Sequence, residues 1–227
     1  MSYTRRAILL GGLATVTSVA FSELASAISP DISHGSRSGE KVALTFHGAG
    51  DPGIATSLLK IFKETSTPVT VFAVGTFLKS HPSFAKAIVD AGHDLGNHTM
   101  THTQMKTINA KKVDEEISKC ADLLVKLVGN HGSFFRPSGT QYSNSLIRKA
   151  AQKFGYQNCI SYDVDSKDYL DPGKLAVVSN VDNAVRAGSI VSLHFGHKNT
   201  VEAMPKIIEN LKVKGLKPVT LTELLGA

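Results

Sequence analysis

From Lys41 onward, short apolar runs alternate with amphipathic segments, and polar loops separate them. Val42 to Phe46 predicts a strand stopped by Gly48 and Gly50, and Ala55 to Lys63 places Leu58, Leu59 and Phe62 at helical spacing. Val69 to Val74 is β-branched and ends at Gly75; Ser83 to Ala91 is helical and ends at Gly92; His93 to Asn97 is a short strand. Asn109 caps a long helix to about Val128, whose stripe is Val113, Ile117, Cys120, Leu124 and Leu127. Ser133 to Arg136 and Gln157 to Asp163 read as strands, with a helix from Ser143 to Lys153 between them. Leu175 to Ala187 and Val201 to Lys214 are helical, Ser189 to His194 and Leu216 to Leu221 are strands, and Thr222 caps a last helix.

Such alternation predicts an α/β fold with a parallel sheet and crossover helices. Seven units in under 190 residues fall short of the roughly 250 typical of a full eight-unit barrel. The expectation is therefore a distorted, incomplete (β/α) barrel of about seven strands, with an open doubly wound sheet as the alternative.

Ahead of this pattern the chain has another character. Arg5-Arg6, a weakly apolar stretch from Ala7 to about Phe21, and Ala25-Ser26-Ala27 occur in the order of an export signal of twin-arginine type. Residues 1–27 are assigned to that signal, 28–40 to a flexible lead-in and 41–227 to one domain. The expected product is secreted, cell-wall-bound or periplasmic. The formal net charge of the 227 residues, +6, has no basic block of the kind that binds nucleic acid. No apolar stretch in the mature chain is long enough to span a membrane, and a monomer is expected. Two cysteines, Cys120 and Cys159, either pair after export or remain buried thiols.

The chemistry falls just after the strands: His47 and Asp51, His98 and His102, Arg136, Asp165 and Asp168, and His194. In parallel α/β folds these loops carry the active site. His98-Thr99-Met100-Thr101-His102 is H-x-x-x-H, which on a helical turn presents two imidazoles to one metal. Singly, each of these residues is an ordinary cap, ion pair or surface histidine; at matched strand ends they describe an enzyme mouth.

Gly92 to His102 resembles the metal motif of the polysaccharide deacetylases, G-H-E-I-G-N-H-[ST]-x-x-H. Leu44-Thr45-Phe46, Phe134 to Pro137, Asp165 to Tyr169 and Ser192-Leu193-His194 resemble that family's other motifs in order, over Lys41 to Ala227. The resemblance implies a metal-dependent hydrolase that removes acetyl groups from a cell-wall or matrix polysaccharide, most often of N-acetylglucosamine. It implies zinc, or cobalt or another divalent ion, held by His98, His102 and an aspartate. His194 is the implied general acid and Asp168 the residue that orients it. Arg136 positions the base, Tyr169 walls the pocket, Leu193 lines the acetyl-methyl pocket, and the backbone near Ser138-Gly139 faces the oxyanion. An O-acetyl esterase and a noncatalytic glycan-binding protein are the alternative functions.

The first motif departs from the family. Where T-F-D-D-G is usual, the chain reads Thr45-Phe46-His47-Gly48-Ala49-Gly50-Asp51. Three readings follow, in this order. The glycine loop swings Asp51 back to the metal and His47 is the base; His47 is the third ligand and Asp51 the base or a supporting group; or the site is degenerate.

Overall fold

The computed structural model describes residues 30–227. The export segment predicted at 1–27 lies outside the described residues. Six parallel strands form the sheet: β1 (Lys41–Gly48), β2 (Thr70–Ala73), β3 (Asp94–Asn97), β4 (Val164–Asp165), β5 (Ile190–His194) and β6 (Lys217–Val219). Their order is β3-β2-β1-β5-β4, with β6 against the first residues of β1. The connecting helices are α1 (Pro52–Glu64), α2 (Gly75–Ser80), α3 (Ser83–Asp90), α4 (Ala110–Val128), α5 (Ser145–Lys153), α6 (Lys174–Ala184), α7 (Lys198–Val213) and α8 (Leu221–Leu225).

The strands expected at 133–136 and 157–163 are reduced to isolated parallel bridges, Asn97 with Phe135 and Phe135 with Cys159. These continue the sheet from β3 around toward Ile32, which bridges Ile160, and His34, which bridges Ser189 ahead of β5. The result is an incomplete, distorted barrel. Residues 30–40 are accordingly not a free lead-in. Ile32 and Gly35 hydrogen-bond to Cys159 and Gly188, Arg37 pairs with Asp163 at 2.7 Å, and Asp31 accepts from Arg148. Pro30, Gly35 and the serines suggest flexibility, but a place between the Cys159–Ser161 segment and the start of β5 supplies the backbone partners a loop of that composition lacks.

Strand alternation sorts the side chains into two layers. Leu44, Phe46, Val71, Ala73, Val191 and Leu193 pack under the helices in the main core. Ala43, Phe72 and Ile190 point the other way and fill the barrel with Phe134, Ile160 and Leu221. Thr45, His47, Ser192 and His194 share that inner parity, nearer the C-terminal ends.

Local signals account for several helix ends. Asn109 accepts from Lys112 N–H to cap α4, and Gly129, at φ +84°, closes it in the left-handed region. Asn144 and Thr220, not the predicted Ser143 and Thr222, cap α5 and α8. Helix α2 is unpredicted. Gly75, read as a strand stop, opens it, at a close approach where a Cβ would lie 2.4 Å from the Met100 sulfur. Cys120 and Cys159 are free and buried, and burial pushes their thiols up to about 12 and about 11. No helix among the described residues is long and apolar enough to cross a membrane.

Candidate active site

Three strand ends deliver the imidazoles. His47, the last residue but one of β1, is in register with His194 at the end of the neighbouring β5, and His98 follows Asn97, the last residue of β3, one strand further on past β2. The rings stand in a row: His102 to His98 at 5.0 Å between centroids, His98 to His47 at 4.4 Å, and His47 to His194 at 4.3 Å. One nitrogen each from His47, His98 and His102 lies within 4.8 Å of the other two.

His98 is buried, and its Nδ1–H donates to the Arg136 carbonyl at 2.8 Å, which leaves the Nε2 lone pair free. That Nε2 has no hydrogen-bond partner among the described residues despite its burial. An unpartnered buried nitrogen costs free energy unless something occupies it. A donated Nδ1–H is also the arrangement that orients a metal-binding histidine. Burial, then the neighbouring rings, hold His47 and His98 well below the ordinary imidazole range; burial lowers His102 as well. Neutral imidazoles are the form that coordinates, so this donor set fits a divalent cation.

The H-x-x-x-H segment is not helical. Residues 98–102 form a loop in which Thr99 and His102 adopt positive φ, 68° and 57°. Its carbonyls at Thr99 and Met100 accept from the N–H groups of Gly75 and Thr76 at the start of α2. Asn97 braces it from below, its Oδ1 accepting from Thr99 N–H and its Nδ2 donating to the Ile117 carbonyl and Tyr156 Oη.

Asp51 is not part of this group. It caps α1, accepting from the N–H groups of Gly53 and Ile54 at 2.6 and 3.3 Å, and is exposed. The glycine loop that was to swing it inward has a different cause. Gly50, at φ +104°, packs on Gly196, where a Cβ would meet the Gly196 Cα at 2.5 Å. The loop joins the turns after β1 and β5.

Beside the imidazole row stands an Asp–His pair. His194 Nδ1–H donates to Asp168 Oδ1 at 2.7 Å, while Asp168 Oδ2 accepts from His194 N–H and from Thr200 Oγ1. Burial acts to raise the Asp168 carboxyl, but the hydrogen bonds from His194 and Thr200 and the His194 charge hold it below its usual value. Tyr169, 45% exposed, lies 5.4 Å from the His194 ring, and its hydroxyl donates to Asp165. His197 forms a second such pair with Asp171 at 3.0 Å, its ring 5.7 Å from His194.

Arg136 is buried beneath the row. It donates to Thr45 Oγ1 and to the carbonyls of Ile160 and Ser161, and its guanidinium lies 4.3 Å from the Phe72 ring centroid. None of these partners is a carboxylate, and burial brings its pKa down to about 9. Gly139, at φ +66°, packs against Gln104, just beyond His102. Leu193 is not at the site. It is buried in the helix-side core, because the residue between two inward-facing positions of a strand faces outward. The sequence reading also missed Glu116, Asn97 and Thr200. Glu116 left a legible trace: it sits three residues after Val113 and four before Cys120, a carboxylate on the buried face of α4.

A polysaccharide deacetylase family profile matches residues 34–159. A peptidoglycan-N-acetylglucosamine deacetylase of Bacillus cereus is 32% identical over 188 residues, 81% of this chain and 87% of that one. The crystal structure of the Bc1960 peptidoglycan N-acetylglucosamine deacetylase superposes with a TM-score of 0.81 at 27% identity, over 86% of this chain and 92% of that one. A pseudoenzyme of carbohydrate esterase family 4 from Bacillus anthracis superposes with a TM-score of 0.80 at 28% identity, over 86% and 68%.

Proposed function

The chain belongs to the polysaccharide deacetylase family, and on that premise we propose that it is an exported, metal-dependent hydrolase that removes acetyl groups from an N-acetylglucosamine polymer of the cell wall. The observation that carries the reading is the buried, unpartnered His98 Nε2 facing His47 and His102, next to the Asp168–His194 pair.

His47, His98 and His102 hold the ion, which is zinc in this proposal; three neutral imidazoles with an open position are a known catalytic zinc donor set. When bound, such an ion supplies Lewis acidity toward a carbonyl and toward water. The rest falls to the chain's own groups. With His47 engaged as a ligand and no carboxylate in its place, His194 does the proton work. Its Nδ1–H is held by Asp168, so Nε2 is the atom that accepts the proton of the attacking water and passes it to the departing nitrogen. A carbon–oxygen bond forms, the carbon–nitrogen bond breaks, and acetate and a free amine result. Tyr169 offers an exposed ring at the mouth on which a sugar can lie. Arg136, a buried cation two residues along the inner face from His47 through Thr45, fixes that strand end.

The test is acetate release from acetylated glycans with and without added zinc. The expected result is zinc-dependent release from N-acetylglucosamine polymers and little from O-acetyl xylan. Two observations favour a noncatalytic glycan binder as the second reading: the missing carboxylates of the first motif and the likeness to a pseudoenzyme. Zinc-loaded protein that retains the polymer but releases no acetate would establish it.

Export belongs to the same proposal. The mature chain is expected to begin near Ile28, read by N-terminal sequencing of secreted material; a secreted chain starting at Met1 or Ser2 would sink it.

A further inference from the structure

His102 is exposed and positive in φ, yet it must meet a fixed partner in His98. Left-handed conformations of residues other than glycine cost about 1–3 kcal/mol each and persist only when the surroundings over-determine them. The loop contains two. Ser138 Oγ donates to the Thr103 carbonyl just past the loop, and within the loop's far half a second side chain takes hold. Glu116 on α4 is 1% exposed, and both of its oxygens are spent on Thr101, the residue before His102. Oε2 accepts from the Thr101 N–H at 2.7 Å and Oε1 from the Thr101 hydroxyl at 2.7 Å. The Glu116 carbonyl also accepts from Met100 N–H at 2.9 Å. Among the described residues, the cation paired with the carboxylate is Lys112, at 3.8 Å and half-exposed, a weak compensation for burying a charge.

We propose that Glu116 is a positioning residue for the metal centre, clamping Thr101 through both carboxylate oxygens so that the left-handed His102 turns its imidazole toward His98 and His47. The inference rests on the three-histidine reading of the site. A buried carboxylate that served only packing would be replaced at little cost by an apolar side chain of similar size. Here it makes two charge-assisted bonds to a single residue adjoining a donor, and α4 is long and well capped without them.

The experiment titrates cobalt(II) into the full-length metal-free protein and reads affinity and the visible absorption bands, which report ligand geometry. The isosteric variant Glu116→Gln keeps the side-chain volume and loses the paired acceptors. Its cobalt affinity is expected to fall about 10–100-fold, the usual cost of disturbing a group behind a ligand, with altered visible bands. Thr101→Val removes the hydroxyl bond alone and is expected to weaken cobalt less, in the same direction; it decides the matter if Glu116→Gln does not fold. Wild-type affinity and bands in the folded variants would overturn the inference. A wild-type protein that takes up no cobalt would instead overturn the three-histidine reading itself, and the inference with it.

Discussion

A purified His98→Ala protein is expected to hold no stoichiometric zinc. The His98 Nε2 is buried and unpartnered, its Nδ1–H is committed to Arg136, and its ring stands between those of His47 and His102. Four-ligand zinc sites bind with about 10–16 kcal/mol, so one ligand contributes roughly 2.5–4 kcal/mol, or about 10²–10³-fold in affinity. His47→Ala is expected to show a loss of the same order, and excess zinc should restore part of the metal content. Asp51→Ala is the contrast. It removes only the cap of α1, so zinc affinity should stay at the wild-type level while stability falls by about 1 kcal/mol. Elemental analysis and a zinc competition titration on the three variants decide it. Metal retained by His47→Ala and lost by Asp51→Ala would exchange the roles of the two residues.

The second large effect is on rate. His194→Ala should lower acetate release about 10²–10⁴-fold while leaving zinc content unchanged, since a general acid–base group contributes that much and His194 is outside the metal triad. Asp168→Asn should lower the rate through a different route. An amide at that position no longer requires Nδ1 to carry the proton, and the wrong tautomer costs about 10⁴ in a serine protease triad with the same Asp–His geometry. Thr200→Val, which removes the hydroxyl bond to Asp168 Oδ2, should cost less than either. A His194→Ala protein with near wild-type acetate release would remove the pair from the mechanism.

Much of this molecule is legible in one dimension. Asn109 and Gly129 bracket α4 because a side-chain oxygen caps an N-terminus and glycine alone reaches the left-handed region without penalty, both local effects. The placement of His47, His98 and His194 at strand ends follows from the alternation of apolar runs and polar loops. Leu193 was misplaced although its face was readable: with Ser192 and His194 around the inner surface, period-two alternation puts Leu193 outside. The strands near 135 and 160 were overestimated, since β-branched and aromatic runs mark burial in a sheet without determining how many backbone bonds each segment makes.

The order of elements, the positions of the imidazoles at the mouth and the buried carboxylate on α4 are properties of the chain itself, because periodicity, capping and strand length act over a few residues. The choice between His47 and Asp51 is not. Asp51 lies four residues past His47, and two forces competed for it: the free N–H groups at the start of α1 and the donor cluster across the mouth. The helix N-terminus is adjacent in sequence and needs no loop rearrangement, while the glycine loop is held by Gly196, nearly 150 residues away. Only the register of β1 against β5, which brings His47 beside His194 and Gly50 against Gly196, determines which side chain reaches the centre. A contact set by pairing between distant strands leaves no mark in the local pattern, and tertiary structure alone decides it.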